Sequence, residues 1–92
     1  MGEAITLRVL TDAGLTLEDQ AVSVVAPGEL GYLGMLRNHA PLVTTLQSGK
    51  LIWRTPGGRS RTILVREGVL EIAKNRLTVL TSAITEPSGE VS

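Results

Sequence analysis

The 92-residue chain contains no cysteine, no phenylalanine, one histidine, one tryptophan and one tyrosine. Each scarcity removes a class of chemistry. Without cysteine, neither a disulfide nor a thiolate metal site can staple so small a core. A single imidazole with scattered carboxylates makes no transition-metal site, so neither a metal nor a cofactor is expected. Nucleophilic catalysis needs a serine or cysteine beside a histidine that an acid orients, and Ser23, Ser48, Ser60 and Ser82 stand in no such setting around His39. The acid pairs Glu18 with Asp19 and Glu67 with Glu71 read as ordinary exposed carboxylates. The chain therefore reads as non-catalytic.

Charge of one sign is also missing. Nine Lys and Arg against nine Asp and Glu sum to zero, which removes the field that would steer the chain to nucleic acid or an anionic bilayer. Arg54, Arg59, Arg61 and Arg66 cluster along the sequence, but with so few aromatics to stack bases they read as a solvated face or as salt-bridge partners. Gly28, Gly31 and Gly34 lack the following Lys-Ser/Thr of a phosphate loop. No apolar run is long enough to span a bilayer, and Met1 is followed by Gly2-Glu3-Ala4 rather than a basic-then-apolar leader. A soluble, monomeric domain is expected, with no direct membrane insertion.

What is present is a strand rhythm. Apolar residues arrive in runs of Val, Ile, Leu and Thr punctuated by Gly, Pro, Asn and Asp. Ala4 to Leu10, Gln20 to Ala26, Leu42 to Leu46, Lys50 to Arg54, Arg59 to Val65, Val69 to Ala73, Leu77 to Thr81 and Ala83 to Thr85 read as strands. Pro27-Gly28 is expected to end the second of these, because proline lacks the ladder donor. The stretch from Gly31 to Pro41 reads as a loop. Thr55-Pro56-Gly57-Gly58 predicts a type II turn, and Asn75 suits the positive φ of a tight hairpin. No segment has convincing helical spacing. Residues 87–92 are a polar tail after a domain covering 1–86. An all-β sandwich or barrel follows.

Several strands are apolar at consecutive positions, as in Leu51-Ile52-Trp53, Ile63-Leu64-Val65 and Val79-Leu80. A sandwich alone in water alternates apolar with polar, so part of an outer face is expected to be greasy and to meet a partner. Burial by strand twist is the alternative.

Gly28-Glu29-Leu30-Gly31, His39-Ala40-Pro41-Leu42 and Leu46-Gln47-Ser48-Gly49-Lys50-Leu51 resemble the signature blocks of ATP synthase epsilon subunits, called delta in mitochondria. Gly68-Val69-Leu70-Glu71-Ile72, Asn75-Arg76-Leu77-Thr78-Val79-Leu80 and Ala83-Ile84 continue the match in order. The resemblance implies a ten-stranded β-sandwich of two five-stranded sheets. It implies a non-catalytic rotor subunit, bound to the gamma subunit and the membrane ring of c subunits, coupling proton-driven rotation to ATP synthesis alongside the catalytic-head subunits. It would be peripheral to an energy-transducing membrane on the cytoplasmic face, most simply the bacterial inner membrane.

Carried over by position, Tyr32, Leu33, Met35, Arg37, Asn38 and His39 would meet the c ring, while His39, Ala40, Pro41, Leu42 and Thr44 would face gamma. An equal reading of His39 is as the cap of a turn through a backbone hydrogen bond. Tyr32 to Asn38 is a longer insert between Gly31 and His39 than is usual in the family, as surface loops tolerate. Nothing after Thr85 has helical patterning, so the helical hairpin that follows this sandwich in many members, and the ATP binding or inhibition it carries, are not expected of this chain. The rival reading is a small β-sandwich that binds a peptide or carbohydrate, for which Tyr32 and Trp53 would be the available aromatics.

Overall fold

Alternation decides the local structure. Ile5, Leu7 and Val9 are fully buried while Thr6, Arg8 and Leu10 between them are half-exposed, the period-two pattern of a strand with one face on a core. The computed structural model describes residues 4–86, and among them the chain forms ten strands and no helix. They are β1 (Ile5–Thr11), β2 (Gly14–Ala21), β3 (Ser23–Gly28), β4 (Gly31–Leu36) and β5 (Leu42–Leu46). The second half holds β6 (Gly49–Arg54), β7 (Ser60–Val65), β8 (Gly68–Ala73), β9 (Arg76–Thr81) and β10 (Ile84–Thr85).

Five strands run in the order β10-β7-β6-β3-β4 and five in the order β5-β8-β9-β1-β2. A lone bridge, Gly28 opposite Leu46, joins the two sets into one curled sheet. The architecture is thus the all-β sandwich of two five-stranded sheets that the resemblance implies. All pairings are antiparallel except β1 with β9. Both sheets turn Val, Ile and Leu inward, with Trp53, Met35, Leu51, Ile63, Leu70, Ile72, Leu77 and Val79 all at 1% exposure or less. Each such side chain stabilises the fold by about 1.5–3 kcal/mol through water exclusion.

Four expectations need correction. Gly31 to Leu36 is a strand, not a loop: its glycines sit at an edge where β4 pairs with β3 alone, so a weak former suffices. Gly14–Ala21 is likewise an edge strand, and Gln20-Ala21 belong to it rather than to β3. Pro27 does not end β3. The Pro27 carbonyl accepts from Gln47 N (2.8 Å), and in an extended residue N and C=O point to the same side. The missing donor therefore lies beyond Val25, where the β3–β6 ladder stops, and costs no ladder bond. Finally, Gly58 N donates to Thr55 O (2.9 Å) and the left-handed glycine is Gly58 (φ 93°), not Gly57. That is a type I turn followed by a left-handed residue rather than a type II turn. The Lys74-Asn75 turn has both central residues at positive φ (52° and 60°), as a type I′ hairpin requires. The tail 87–92 and Met1 to Glu3 lie outside the described residues.

The outer faces are greasy in part, as the sequence suggests. Ile63 and Val65 point inward and Leu64 outward, where it is half-buried. Across the second sheet, Val69 faces Leu80, Leu80 faces Leu10, and Leu10 faces Leu15, which sets an apolar row over four strands.

Candidate functional site

The β3–β4 hairpin, β5 and the bend at residues 37–41 between β4 and β5 carry the residues that the sequence nominates. Gly28 pairs with Gly31 across the two-residue tip Glu29-Leu30. Gly31 takes φ 127°, a conformation that side chains resist. At Gly28 a Cβ would stand 3.1 Å from the Gly31 carbonyl oxygen. The tip is braced rather than free, since Thr45 Oγ1 on β5 donates to Glu29 Oε1 (2.9 Å). Leu30 beside it is 98% exposed.

Alternation along β4 splits the nominated ring-contact residues. Met35 is 1% exposed and sits in the core, so its nomination as a contact is corrected: on a strand it shares the inner face with Leu33, which packs against the same core. Tyr32 and Leu36 are 58% and 66% exposed. Tyr32 Oη accepts from the backbone N–H of Lys50 (3.1 Å), which fastens the hairpin to β6. Gly49 is required beneath it, because a Cβ there would lie 2.8 Å from Tyr32 Oη and 3.0 Å from Pro27 Cβ.

After Leu36 the chain bends. His39 N donates to Leu36 O (3.2 Å), and Asn38 has φ 65°. Asn38 N donates to Asn75 Oδ1 (2.7 Å) while Asn75 Nδ2 donates to Asn38 Oδ1 (3.1 Å). His39 Nδ1 donates to Ala40 O (2.6 Å), so the half-buried ring shapes the turn while its remaining edge is available. Arg37, Ala40 and Pro41 are exposed.

On β5, Leu42 and Thr44 point into a groove of about 240 Å³ that they share with Leu30, Tyr32 and Leu33. The structure therefore brings residues nominated for two different partners onto one cleft. Val43 points the other way and is 67% exposed. Leu30, Leu36 and Val43 were not singled out from the sequence, although large apolar residues at hairpin tips and strand edges are the signal that would have found them. Among the described residues, no group of three or more His, Asp or Glu could hold a metal ion. Trp53, one of the two aromatics a carbohydrate platform would have used, is buried in the core.

A second polar feature lies at another opening of the sandwich. Asp19 on β2 accepts from Trp53 Nε1 (2.9 Å) and Arg61 Nη1 (3.1 Å), and Arg61 stacks over the indole at 5.4 Å. Burial works to raise the Asp19 pKa, but the bonds from Trp53 and the Gln20 amide and the Arg61 charge together hold it below the usual carboxylate value. This cluster clasps the two sheets and uses one of the clustered arginines.

Comparison with known proteins follows the same lines. Residues 4–87 match the family described as ATP synthase, Delta/Epsilon chain, beta-sandwich domain. The ATP synthase epsilon chain of Desulfosudis oleivorans is 38% identical over 80 residues, covering 87% of this chain and 60% of that protein. That of Desulfitobacterium hafniense strain DSM 10664 is 38% identical over 90 residues, covering 98% of this chain and 66% of that protein. This chain thus spans about two thirds or less of those two relatives. A chain in the mitochondrial ATP synthase of Euglena gracilis, solved with its c ring, shares the fold with TM-score 0.87 at 17% identity, covering 100% of this chain and 58% of that one. One from the central stalk and c ring of the Tetrahymena thermophila enzyme gives 0.72 at 13%, covering 95% and 72%.

Proposed function

Since the chain belongs to the delta/epsilon beta-sandwich family of ATP synthase subunits, we propose that it is a non-catalytic rotor element of the central stalk, joining the gamma subunit to the c ring. It passes proton-driven rotation of the ring to the catalytic head and sits peripherally on the cytoplasmic face of the membrane, in bacteria the inner membrane. Among the described residues no helix is long and apolar enough to cross a membrane, which suits a peripheral placement.

The observation that carries the reading is where the exposed apolar side chains fall. Leu30, Tyr32 and Leu36 belong to the β3–β4 hairpin, and Leu15, Val43, Val69 and Leu80 lie on the outer face of the second sheet. Two such patches on so small a body fit a piece held between partners. The braced tip Glu29-Leu30, with Tyr32, Arg37, Asn38 and His39 behind it, faces the ring. His39, Ala40, Pro41, Leu42 and Thr44 face gamma, with the groove at Leu42 and Thr44 taking an apolar side chain of the partner.

The test is to compare Leu30→Ser and Leu42→Ser with the unaltered chain for gamma binding by calorimetry and for proton-driven ATP synthesis in reconstituted synthase. Leu30→Ser should bind gamma normally and couple poorly, and Leu42→Ser should weaken gamma binding. Normal binding and coupling by both folded variants would sink the reading.

A further inference from the structure

The bend between β4 and β5 carries residues for both proposed partners, and its geometry depends on a side chain far away in sequence. In the Leu36–His39 turn, only the third residue, Asn38, is left-handed, as in a type II turn. Such a turn uses the first carbonyl and the last N–H and leaves the N–H of its third residue without a partner inside the turn. That N–H is the one that Asn75 Oδ1 accepts at 2.7 Å, and the Asn75 amide returns a bond to Asn38 Oδ1. Asn75 is itself fixed: it is the second left-handed residue of the β8–β9 turn, and its carbonyl accepts from Thr6 N on β1 (2.8 Å). One carboxamide thus ties the bend at the end of one sheet to two strands of the other.

We propose that Asn75 is a positioning residue for partner binding: it holds the Arg37–Pro41 bend in its binding geometry, so that the ring-facing and gamma-facing residues are presented as one rigid surface. This rests on the rotor reading above. An exposed bend fixed only at its ends samples many conformations, and ordering it on binding weakens affinity; a tether made beforehand removes that loss.

Asn75→Gly isolates the side chain, because glycine is favoured at the second position of a type I′ turn and keeps the positive φ. Asn75→Asp retains an oxygen to accept from Asn38 N–H and serves as the conservative rescue. Each chain is examined by thermal melting, by amide hydrogen exchange, and by calorimetric titration with the gamma subunit of the same synthase. With Asn75→Gly, the melting temperature should hold within a few degrees, exchange at the Asn38 amide should rise about tenfold, and gamma affinity should fall about tenfold. Asn75→Asp should recover most of both. A purely structural role would move the melting temperature and leave affinity alone. Faster exchange with unaltered affinity overturns the positioning role, and unaltered exchange overturns the tether. If the unaltered chain does not bind gamma, the rotor reading fails, and the exchange data still decide the tether.

Discussion

Trp53 Nε1 donates to Asp19 Oδ2 across 2.9 Å, linking β6 of one sheet to β2 of the other, and Arg61 donates to the same oxygen. Because the folded protein holds the Asp19 pKa below the ordinary aspartate value of 3.8, its contribution is fully present above that value and is lost as pH falls through the lowered folded pKa. Asp19→Asn should reduce stability at neutral pH by about 1–2 kcal/mol. The gap between variant and unaltered protein should hold from pH 7 to about pH 5 and narrow only as melts are carried below about pH 4, toward pH 2. A gap that stays constant over that range would contradict the assignment.

Neighbouring residues of β4 should respond in opposite ways. Met35→Ala empties a filled core position and should cost about 2–4 kcal/mol in urea unfolding. Leu36→Ala, beside it but exposed, should change stability by less than about 0.5 kcal/mol. Equal losses at both would mean that this segment is not the edge strand described.

The glycines divide in the same manner. A Cβ at Gly68 would run into the backbone carbonyl of Leu80, which cannot move without breaking the β8–β9 pairing. Gly68→Ala should therefore destabilise by about 3 kcal/mol or more, or abolish folding. Gly34 meets nothing within 4 Å and is not left-handed, so Gly34→Ala should be neutral or stabilise by up to about 1 kcal/mol. Chemical denaturation of the two proteins decides the matter.

Tyr32→Phe keeps the ring and removes only the acceptor for Lys50 N–H. It should cost about 0.5–1.5 kcal/mol and raise exchange at the Lys50 amide selectively. Protection at Lys50 that survives the change would show that the phenol is not its partner.

Strands flanked on both sides were legible because their side-chain pattern is dictated by a core: Leu70 with Ile72, and Leu77 with Val79, alternate as they must. Two edge strands, β2 and β4, were not, although β5 and β10 at the other edges were. β4 needs only Leu33 and Met35 inward, and its glycines mimic a loop; β2 turns Asp19 inward where the sandwich opens, so its carboxylate masks the alternation. Pro27 misled because the side on which a strand lacks a neighbour is a property of the sheet, not of the run. At the candidate site, the signature blocks nominated residues that the structure gathers on the β3–β4 hairpin, β5 and the bend between them. They could not separate Met35 from Leu36, which depends on strand phase, nor reveal Asn75, whose link to Asn38 spans 37 positions.

The parallel pairing of β1 with β9 sets a timetable for synthesis. Leu7 and Val9 find their neighbours at Leu77 and Val79, so β1 must wait until β9 has been made. Contacts of such long sequence separation slow folding, since most of the chain must be gathered before they repay its lost freedom. Until Leu80 is clear of the exit tunnel, β1 and β2 can only form a hairpin with its apolar side in water. A chain truncated before β9 should be open to proteases and chaperones, and one that includes β9 should become resistant in a single step.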